Sequence, residues 1–223
     1  MITQAKTIVI LEGEVPPSEE LQVFSELPFI AADAAAWSLI DRGLHPQVIV
    51  GDMDSLYSVG EHRKQDPKII FKHSTWVEIK NQDTTDFEKT LNYAVDHQLS
   101  PLLILGLFGK EIDHSLYNLS HLVSYSGKLN LMGLHVLPNG KKQWVLPLCK
   151  SETLQVPAGT QLSVIPMPLM TLTAPTLKWP LDRQAFDLTA FHVRNKTTLD
   201  YTDLVVEAGQ GLIIVNADLP PVF

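Results

Sequence analysis

The first half of the chain alternates short apolar runs with stretches of helical periodicity. Residues 7–11, 29–32 and 48–50 are apolar, rich in β-branched or small side chains, and end at polar residues or Gly. This pattern is typical of buried strands. Residues 16–27 and 34–42 separate these runs and carry the spacing and end signals of helices. Because the connections are short, the pattern predicts a mostly parallel sheet covered on both faces by helices.

The same alternation continues through the next part of the chain. Residues 68–71, Lys-Ile-Ile-Phe, are another strand candidate. Thr85 followed by Glu88 is a capping-box pattern, which predicts that a helix begins near Asp86. Residues 102–105 then suggest a further strand.

A last helix is predicted after that strand. It should run from about Ser115 to Tyr125, and its periodicity places Leu116, Leu119 and Val123 on the buried face. An α/β/α domain therefore accounts for the chain up to this point.

The pattern changes near Pro138, where helical periodicity stops and Pro and Gly recur. Asn139-Gly140 is a hairpin signal at this junction. Short strand-like runs follow at residues 143–146, 153–156, 161–165, 169–172, 204–206 and 212–215. Such spacing is typical of an all-β sandwich or barrel. We therefore predict an α/β domain over residues 1–140 and a β-sandwich domain over residues 141–223.

Bulk composition narrows the classes of function. The 223 residues carry a net charge of -8, which argues against sequence-independent nucleic-acid binding. Cys149 is the only cysteine, so no intramolecular disulfide or cysteine zinc site can form. There is no secretory signal pattern and no run of about 20 apolar residues. We expect a cytoplasmic protein with no membrane partner.

Carboxylates follow several of the predicted strands. Each has an ordinary explanation as a turn former or a helix cap. However, the carboxyl ends of strands in a doubly wound sheet meet at one edge, where ligand clefts form. Several hard oxygen ligands at such an edge suit Mg²⁺, and phosphoryl chemistry is the leading class. The acids in question are Asp33, Asp52, Asp54, Asp83, Asp86 and Asp113.

The usual phosphate-binding loops are missing from the sequence. It contains neither the P-loop motif nor the Gly-rich dinucleotide fingerprint. Nucleotide phosphates would instead be held by metal, by backbone N–H groups at helix starts and by basic residues such as Lys110.

Several motifs together resemble those of bacterial thiamine pyrophosphokinases. The Gly-Asp-x-Asp-Ser and Gln-Asp-x-Thr-Asp-Phe motifs form a specific pair, and the resemblance covers nearly the whole chain. The matching segments are residues 33–36, 51–55, 82–88, Asp113-His114 with Asn118, residues 177–181 and Asn195.

The resemblance implies an enzyme that transfers the pyrophosphoryl group of ATP to the hydroxyl of thiamine, giving thiamine diphosphate and AMP. It also implies a homodimer whose active sites lie between subunits. Four acids would bind Mg²⁺ and act in catalysis, with Asp86 the favoured acceptor of the alcohol proton: Asp52, Asp54, Asp83 and Asp86. Nucleotide or thiamine contacts would come from Asp33, Gln82, Lys110, Asp113, Asn118, Trp179 and Asn195.

Three departures from the family pattern concern substrate contacts. Ala34 and Ala35 replace a Gly pair, and Lys110 replaces an Arg, with Glu111 opposing its charge. Arg194 stands where a Ser is expected, which is unfavourable for a cationic substrate. Two alternatives therefore stay open: a pyrophosphokinase acting on another heterocyclic alcohol such as a pterin, and a nucleotide- or thiamine-binding protein without catalysis. Trp179 also has two interpretations, a ring that stacks on thiamine and a core residue of the sandwich.

Overall fold

The structure, a computed structural model, describes residues 5–190 and 192–223. None of the helices in this described part is long and apolar enough to cross a membrane. The first half of the chain contains β1 (Thr7–Ile10), α1 (Ser18–Gln22), β2 (Phe29–Ala32), α2 (Ala35–Ile40), β3 (Val48–Gly51), α3 (Asp54–Arg63), α4 (Pro67–Ile70), β4 (Thr75–Glu78), α5 (Asp86–Asp96), β5 (Leu102–Leu105) and α6 (Ile112–Tyr125). The second half contains β6 (Leu131–Val136), β7 (Lys142–Leu148), β8 (Glu152–Gln155), β9 (Gln161–Ala174), β10 (Leu181–Asp187), β11 (His192–Lys196) and β12 (Tyr201–Asn216).

The described residues form two compact units. One, the α/β unit, comprises residues 5–118 and 128–131. The other, the β unit, comprises residues 119–127 and 132–223.

The α/β unit is built on a parallel sheet with the strand order β5-β1-β2-β3-β4. Every residue of β1, β2 and β5 is buried, as expected for strands covered on both faces. Helix α5 packs against β2 and β3, and α2 packs against β2. The carboxyl ends of these strands supply the loops that matter for function.

The β unit contains antiparallel strands organised around the two long strands β9 and β12. The first part of β12 pairs with β8 and with the second part of β9, which also pairs with β10. The second part of β12 pairs with β7 and with the first part of β9, which also pairs with β11. The two parts of each long strand therefore have different outer neighbours, which gives the unit its sandwich-like arrangement. The predicted class, an α/β unit followed by a β-sandwich, is confirmed.

Three local predictions were wrong. Residues 68–71 are not a strand: Asp66 accepts a hydrogen bond from the N–H of Lys68, and Pro67 opens the short helix α4. Helix α6 begins at Ile112 rather than near Ser115, and Leu116 is 61% exposed instead of buried.

Candidate functional site

Three carboxylates from three parts of the α/β unit meet at the carboxyl edge of its sheet. Asp33 directly follows β2, Asp52 directly follows β3, and Asp86 is the first residue of α5. One carboxylate oxygen from each lies within 4.8 Å of the others. Parallel strands deliver their loops to a common edge, so residues far apart in sequence become neighbours.

Asp33 is the most buried of the three. Its backbone is left-handed, with φ of 45°, a conformation that Asp and Asn tolerate better than most residues. Oδ1 accepts a hydrogen bond from the N–H of Leu56 at 2.8 Å, whereas Oδ2 is buried and has no donor among the described residues. Burial, reinforced by the neighbouring charges of Asp86 and Asp52, raises the pKa of Asp33 to about 7.

Lys89 supplies the positive charge beside this carboxylate group. It lies one turn along α5 from Asp86, and its side chain is 3% exposed. Its Nζ donates to Asp86 Oδ1 at 2.9 Å and to Asp52 Oδ2 at 3.3 Å. Desolvation opposes the charged form of Lys89, but Asp86 and Asp52 outweigh it and raise its pKa.

Asp52 and Asp86 differ in how well their charges are stabilised. Desolvation raises the pKa of Asp52, but donors outweigh it and hold this pKa below its ordinary value: the N–H of Asp54 at 3.2 Å, Lys89, and Gln82 Nε2 at 3.0 Å. For Asp86 burial dominates and raises the pKa, although Lys89 opposes this shift. Asp86 is therefore the better proton acceptor of the two.

A cavity of about 440 Å³ opens beside the carboxylate group. This volume is in the range of small-molecule sites. It is lined by residues from the ends of β1, β3 and β5, from the segment before α5 and from the start of α6, including Glu12, Gly13, Asp52, Gln82, Asp86, Lys89, Gly106, Lys110, Glu111, His114 and Asn118.

The basic residue expected to face phosphate is paired with an acid that is distant in the sequence. Lys110 forms an ion pair with Glu12, which is 98 positions away in the sequence. Glu111 instead lies 3.5 Å from the Nε2 atom of His114. Asn118 donates its side-chain amide to the carbonyl of Leu107 at 3.1 Å, which ties α6 to the loop after β5.

In the β unit, Asn195 holds the backbone of Trp179. Its Oδ1 accepts from the N–H of Trp179 at 3.2 Å, and its Nδ2 donates to the carbonyl of Trp179 at 2.8 Å. Asn195 is buried, whereas the side chain of Trp179 is 51% exposed. The Nζ of Lys178 lies 4.9 Å from the centre of the Trp179 ring. Trp179 is therefore not a core residue.

Comparison with known proteins gives a family for this site. Residues 23–132 match the model of the thiamin pyrophosphokinase catalytic domain, a range that includes all three clustered carboxylates and Lys89. The segment from residue 23 to residue 132 therefore belongs with the catalytic domains of the thiamin pyrophosphokinase family. A comparison with curated proteins finds no match.

Solved structures of thiamin pyrophosphokinases share the fold of this chain. The enzyme from Bacillus subtilis has a TM-score of 0.75 at 21% identity, covering 96% of this chain and 100% of that one. The Geobacillus thermodenitrificans enzyme has a TM-score of 0.75 at 19% identity, covering 95% and 97%. For the yeast enzyme the TM-score is 0.75 at 16% identity, covering 95% and 86%.

The thiamin pyrophosphokinase motifs contribute unequally to the cavity. Of the predicted site residues in the α/β unit, Asp52, Gln82, Asp86, Lys110 and Asn118 line it. Four others do not: Asp33, which is buried, and the exposed residues Asp54, Asp83 and Asp113. Among the described residues, the close carboxylate group at this edge combines Asp52 and Asp86 with Asp33, not with Asp54 or Asp83.

Two charged residues of the site were missed in the sequence. Lys89 stands three residues after Asp86, a spacing that places both side chains on one helix face. That spacing was an available signal, although many such pairs lie on solvated faces. Glu12 follows β1 and reaches the cavity as the carboxylates after β2 and β3 do, so its position at a strand end was the available signal.

Proposed function

We propose that the chain is an Mg²⁺-dependent thiamine pyrophosphokinase that uses ATP. The observation that supports this proposal best is the group formed by Asp33, Asp52 and Asp86 beside a cavity of about 440 Å³. Membership of the catalytic domain in the thiamin pyrophosphokinase family supplies the reaction class.

The residues present fit a magnesium ion. Three carboxylates offer hard oxygen ligands within 4.8 Å of one another, and Asp33 Oδ2 is buried without a donor. A buried acceptor without a donor is costly unless a cation or a proton satisfies it. Asp33, Asp52 and Asp86 would hold the ion. When bound, Mg²⁺ would neutralise charge on the triphosphate oxygens.

The chemistry needs a proton acceptor, a positioned nucleophile and stabilised phosphate charge. The thiamine hydroxyl oxygen bonds to the β-phosphorus of ATP, and the bond from that phosphorus to the α–β bridging oxygen breaks, so AMP leaves with the bridging oxygen. Asp86 receives the hydroxyl proton, because burial raises its pKa towards the working range of a base. Lys110 faces the phosphates as a point charge once it leaves Glu12.

The remaining predicted site residues take supporting roles in this proposal. Gln82 orients Asp52 through its 3.0 Å hydrogen bond, and Asn118 fixes the loop that borders the nucleotide cavity. Three predicted residues are exposed: Asp54, Asp83 and Asp113. They would accept hydrogen bonds from water molecules bound to the metal, or contact phosphate groups through water. Trp179 would stack on thiamine, and Asn195 would act through the backbone of Trp179.

One observation favours a second acceptor. Lys178 Nζ already lies 4.9 Å from the centre of the Trp179 ring. A cation over the stacking ring disfavours a cationic substrate, because like charges repel. A neutral heterocyclic alcohol such as a pterin is therefore the second candidate for the acceptor.

AMP release from ATP and Mg²⁺ by the purified protein tests the proposal. Thiamine-dependent AMP, with thiamine diphosphate identified by mass, is the expected result. AMP that depends on a hydroxymethylpterin but not on thiamine would transfer the proposal to the second acceptor. ATP binding without AMP release in the presence of either alcohol would contradict both proposed acceptors. The protein would then be a nucleotide-binding protein without this activity.

Asp86→Asn in the same assay tests the carboxylate group. The variant should lose about 100-fold or more in kcat, because it removes both a proton acceptor and a metal ligand. Asp96→Asn is the matched control, since Asp96 is exposed at the other end of the same helix. Equal activity of Asp86→Asn and Asp96→Asn would remove Asp86 from the mechanism.

A further inference from the structure

Lys89 contacts two of the three carboxylates that a metal ion would use. Its Nζ contacts one oxygen of Asp52 and one of Asp86, and these are two of the three residues in the carboxylate group. The side chain is buried in the protein, yet it lines the cavity. The ammonium group and a divalent cation would therefore compete for the negative charge of the same two carboxylates.

The charges of the group determine what happens to Lys89 when a divalent ion binds. With all three carboxylates ionised, Lys89 leaves the group with two negative charges, at a site where Lys89 and Asp33 are buried and Asp52 and Asp86 are partly exposed. A bound divalent ion would then meet Lys89 at close range, where like charges repel strongly because the surroundings screen them weakly. Lys89 has to move away from the carboxylates, and a buried ammonium group needs another anion to move to.

We propose that Lys89 is an internal counter-ion that keeps divalent metal binding weak until a polyphosphate enters the cavity and takes Lys89 as its partner. The inference rests on the proposed metal and nucleotide site. It adds that the two ligands bind cooperatively: the metal and the polyphosphate each bind more tightly when the other is present. Such coupling is reciprocal, so polyphosphate affinity depends on the metal by the same factor.

Binding of Mn²⁺ to the intact protein, measured by electron paramagnetic resonance of the free ion without nucleotide, tests this inference. Lys89→Met should bind Mn²⁺ about tenfold more tightly than the parent protein, a typical size for coupling between sites. Lys89→Arg keeps the charge and should bind as weakly as the parent. Lys80→Met is the matched control, because Lys80 is 82% exposed, and it should leave Mn²⁺ affinity unchanged.

The sign of the change separates the proposal from a structural role. If Lys89 only supported the fold, its loss would loosen the carboxylates and weaken Mn²⁺ binding. Equal or weaker Mn²⁺ affinity in Lys89→Met would therefore overturn the proposal. If this variant does not fold, Lys89→Gln replaces the charge with a polar side chain. Equal or weaker Mn²⁺ affinity in Lys89→Gln would likewise overturn the proposal.

Calorimetric titration with inorganic tripolyphosphate and excess Mg²⁺ provides the second half of the test. Lys89→Met should bind tripolyphosphate about tenfold more weakly, because its cationic partner is gone. Unchanged tripolyphosphate affinity would overturn the inference even if Mn²⁺ bound more tightly. Both expected shifts, with no thiamine-dependent AMP in the parent, would retain the inference and contradict only the proposed acceptor.

Discussion

Asp33 combines three unfavourable features in one residue. Its backbone has a positive φ, its side chain is buried, and one of its oxygens has no donor among the described residues. Residues held in such sparsely populated conformations concentrate at functional sites. Asp33 therefore lowers the stability of the folded protein. The proposed role as a metal ligand would account for these features.

Replacing Asp33 with Asn should stabilise the metal-free protein at alkaline pH. Folding raises the pKa of Asp33 from 3.8 to about 7, so the folded state holds a proton that the unfolded state releases. The stability that this proton contributes is fully present below pH 3.8 and is lost as the pH rises through about 7. Asn carries no titrating proton and tolerates the positive φ.

The measurement is the free energy of unfolding in urea with EDTA, for the parent and Asp33→Asn. Between pH 5 and pH 8 the difference should shift in favour of the variant by about 2 kcal/mol. A difference that does not depend on pH would show that Asp33 does not titrate in this range. Mn²⁺ affinity should fall in the same variant, because a carboxylate ligand is lost.

Residue identities alone pointed to several residues that line the cavity, but not to the grouping of the carboxylates. Asp52 and Asp86 were predicted as members of one cluster, and they are neighbours. Asp33 was predicted to contact substrate, yet it belongs with them in the carboxylate group. The sequence could not separate these cases, because burial depends on residues that pack from elsewhere in the chain.

Helix α5 shows how far local signals reach at the scale of an element. Thr85 Oγ1 accepts from the N–H of Glu88, and the helix begins at Asp86, as the capping box predicted. Residues 68–71 show the opposite case. Their Ile-Ile-Phe sequence suggested a strand, but Asp66 caps a short helix there. A four-residue apolar run fits either structure, so its flanking residues carry the information.

The ends of β1 and β5 approach each other too closely for a side chain at Gly13. A Cβ there would lie 2.0 Å from the carbonyl oxygen of Phe108 and 2.3 Å from that of Gly106. Because both obstacles are backbone atoms, neither strand end can yield without moving the edge of the cavity.

Gly13→Ala should therefore lower the free energy of unfolding by about 1–3 kcal/mol and reduce nucleotide affinity. Chemical denaturation and calorimetry measure the two effects. Gly127→Ala is the control, because no atom lies within 4 Å of the added Cβ and the residue has no positive φ. A Gly13→Ala protein as stable as the control would show that the two strand ends are further apart in solution.

At the scale of the whole molecule, the proposed nucleotide site lies within one unit. All residues that line the cavity fall between Leu11 and Asn118, in the α/β unit. Nucleotide binding should therefore stabilise the α/β unit, because a ligand that binds only the folded state stabilises the segments that it contacts.

Hydrogen exchange in the presence of Mg²⁺ and a non-hydrolysable ATP analogue measures this effect. Protection should rise most in the segments around residues 11–13, 52–55, 82–89 and 106–118. Protection confined to the β unit would place the nucleotide elsewhere. The homodimer, the cytoplasmic location and the domain division at residue 140 stay predictions.

The alternation of apolar runs and helical periodicity was enough to predict the fold class, because strands and helices are encoded by spacing over a few neighbouring residues. The motif residues were likewise enough to suggest the family and five of the residues that line the cavity. Tertiary structure alone decided the rest: the grouping of Asp33 with Asp52 and Asp86, the pairing of Lys110 with Glu12, and the burial of Lys89 between two carboxylates. These contacts join residues up to 98 positions apart. They depend on the order in which parallel strands pair, and local spacing does not encode that order.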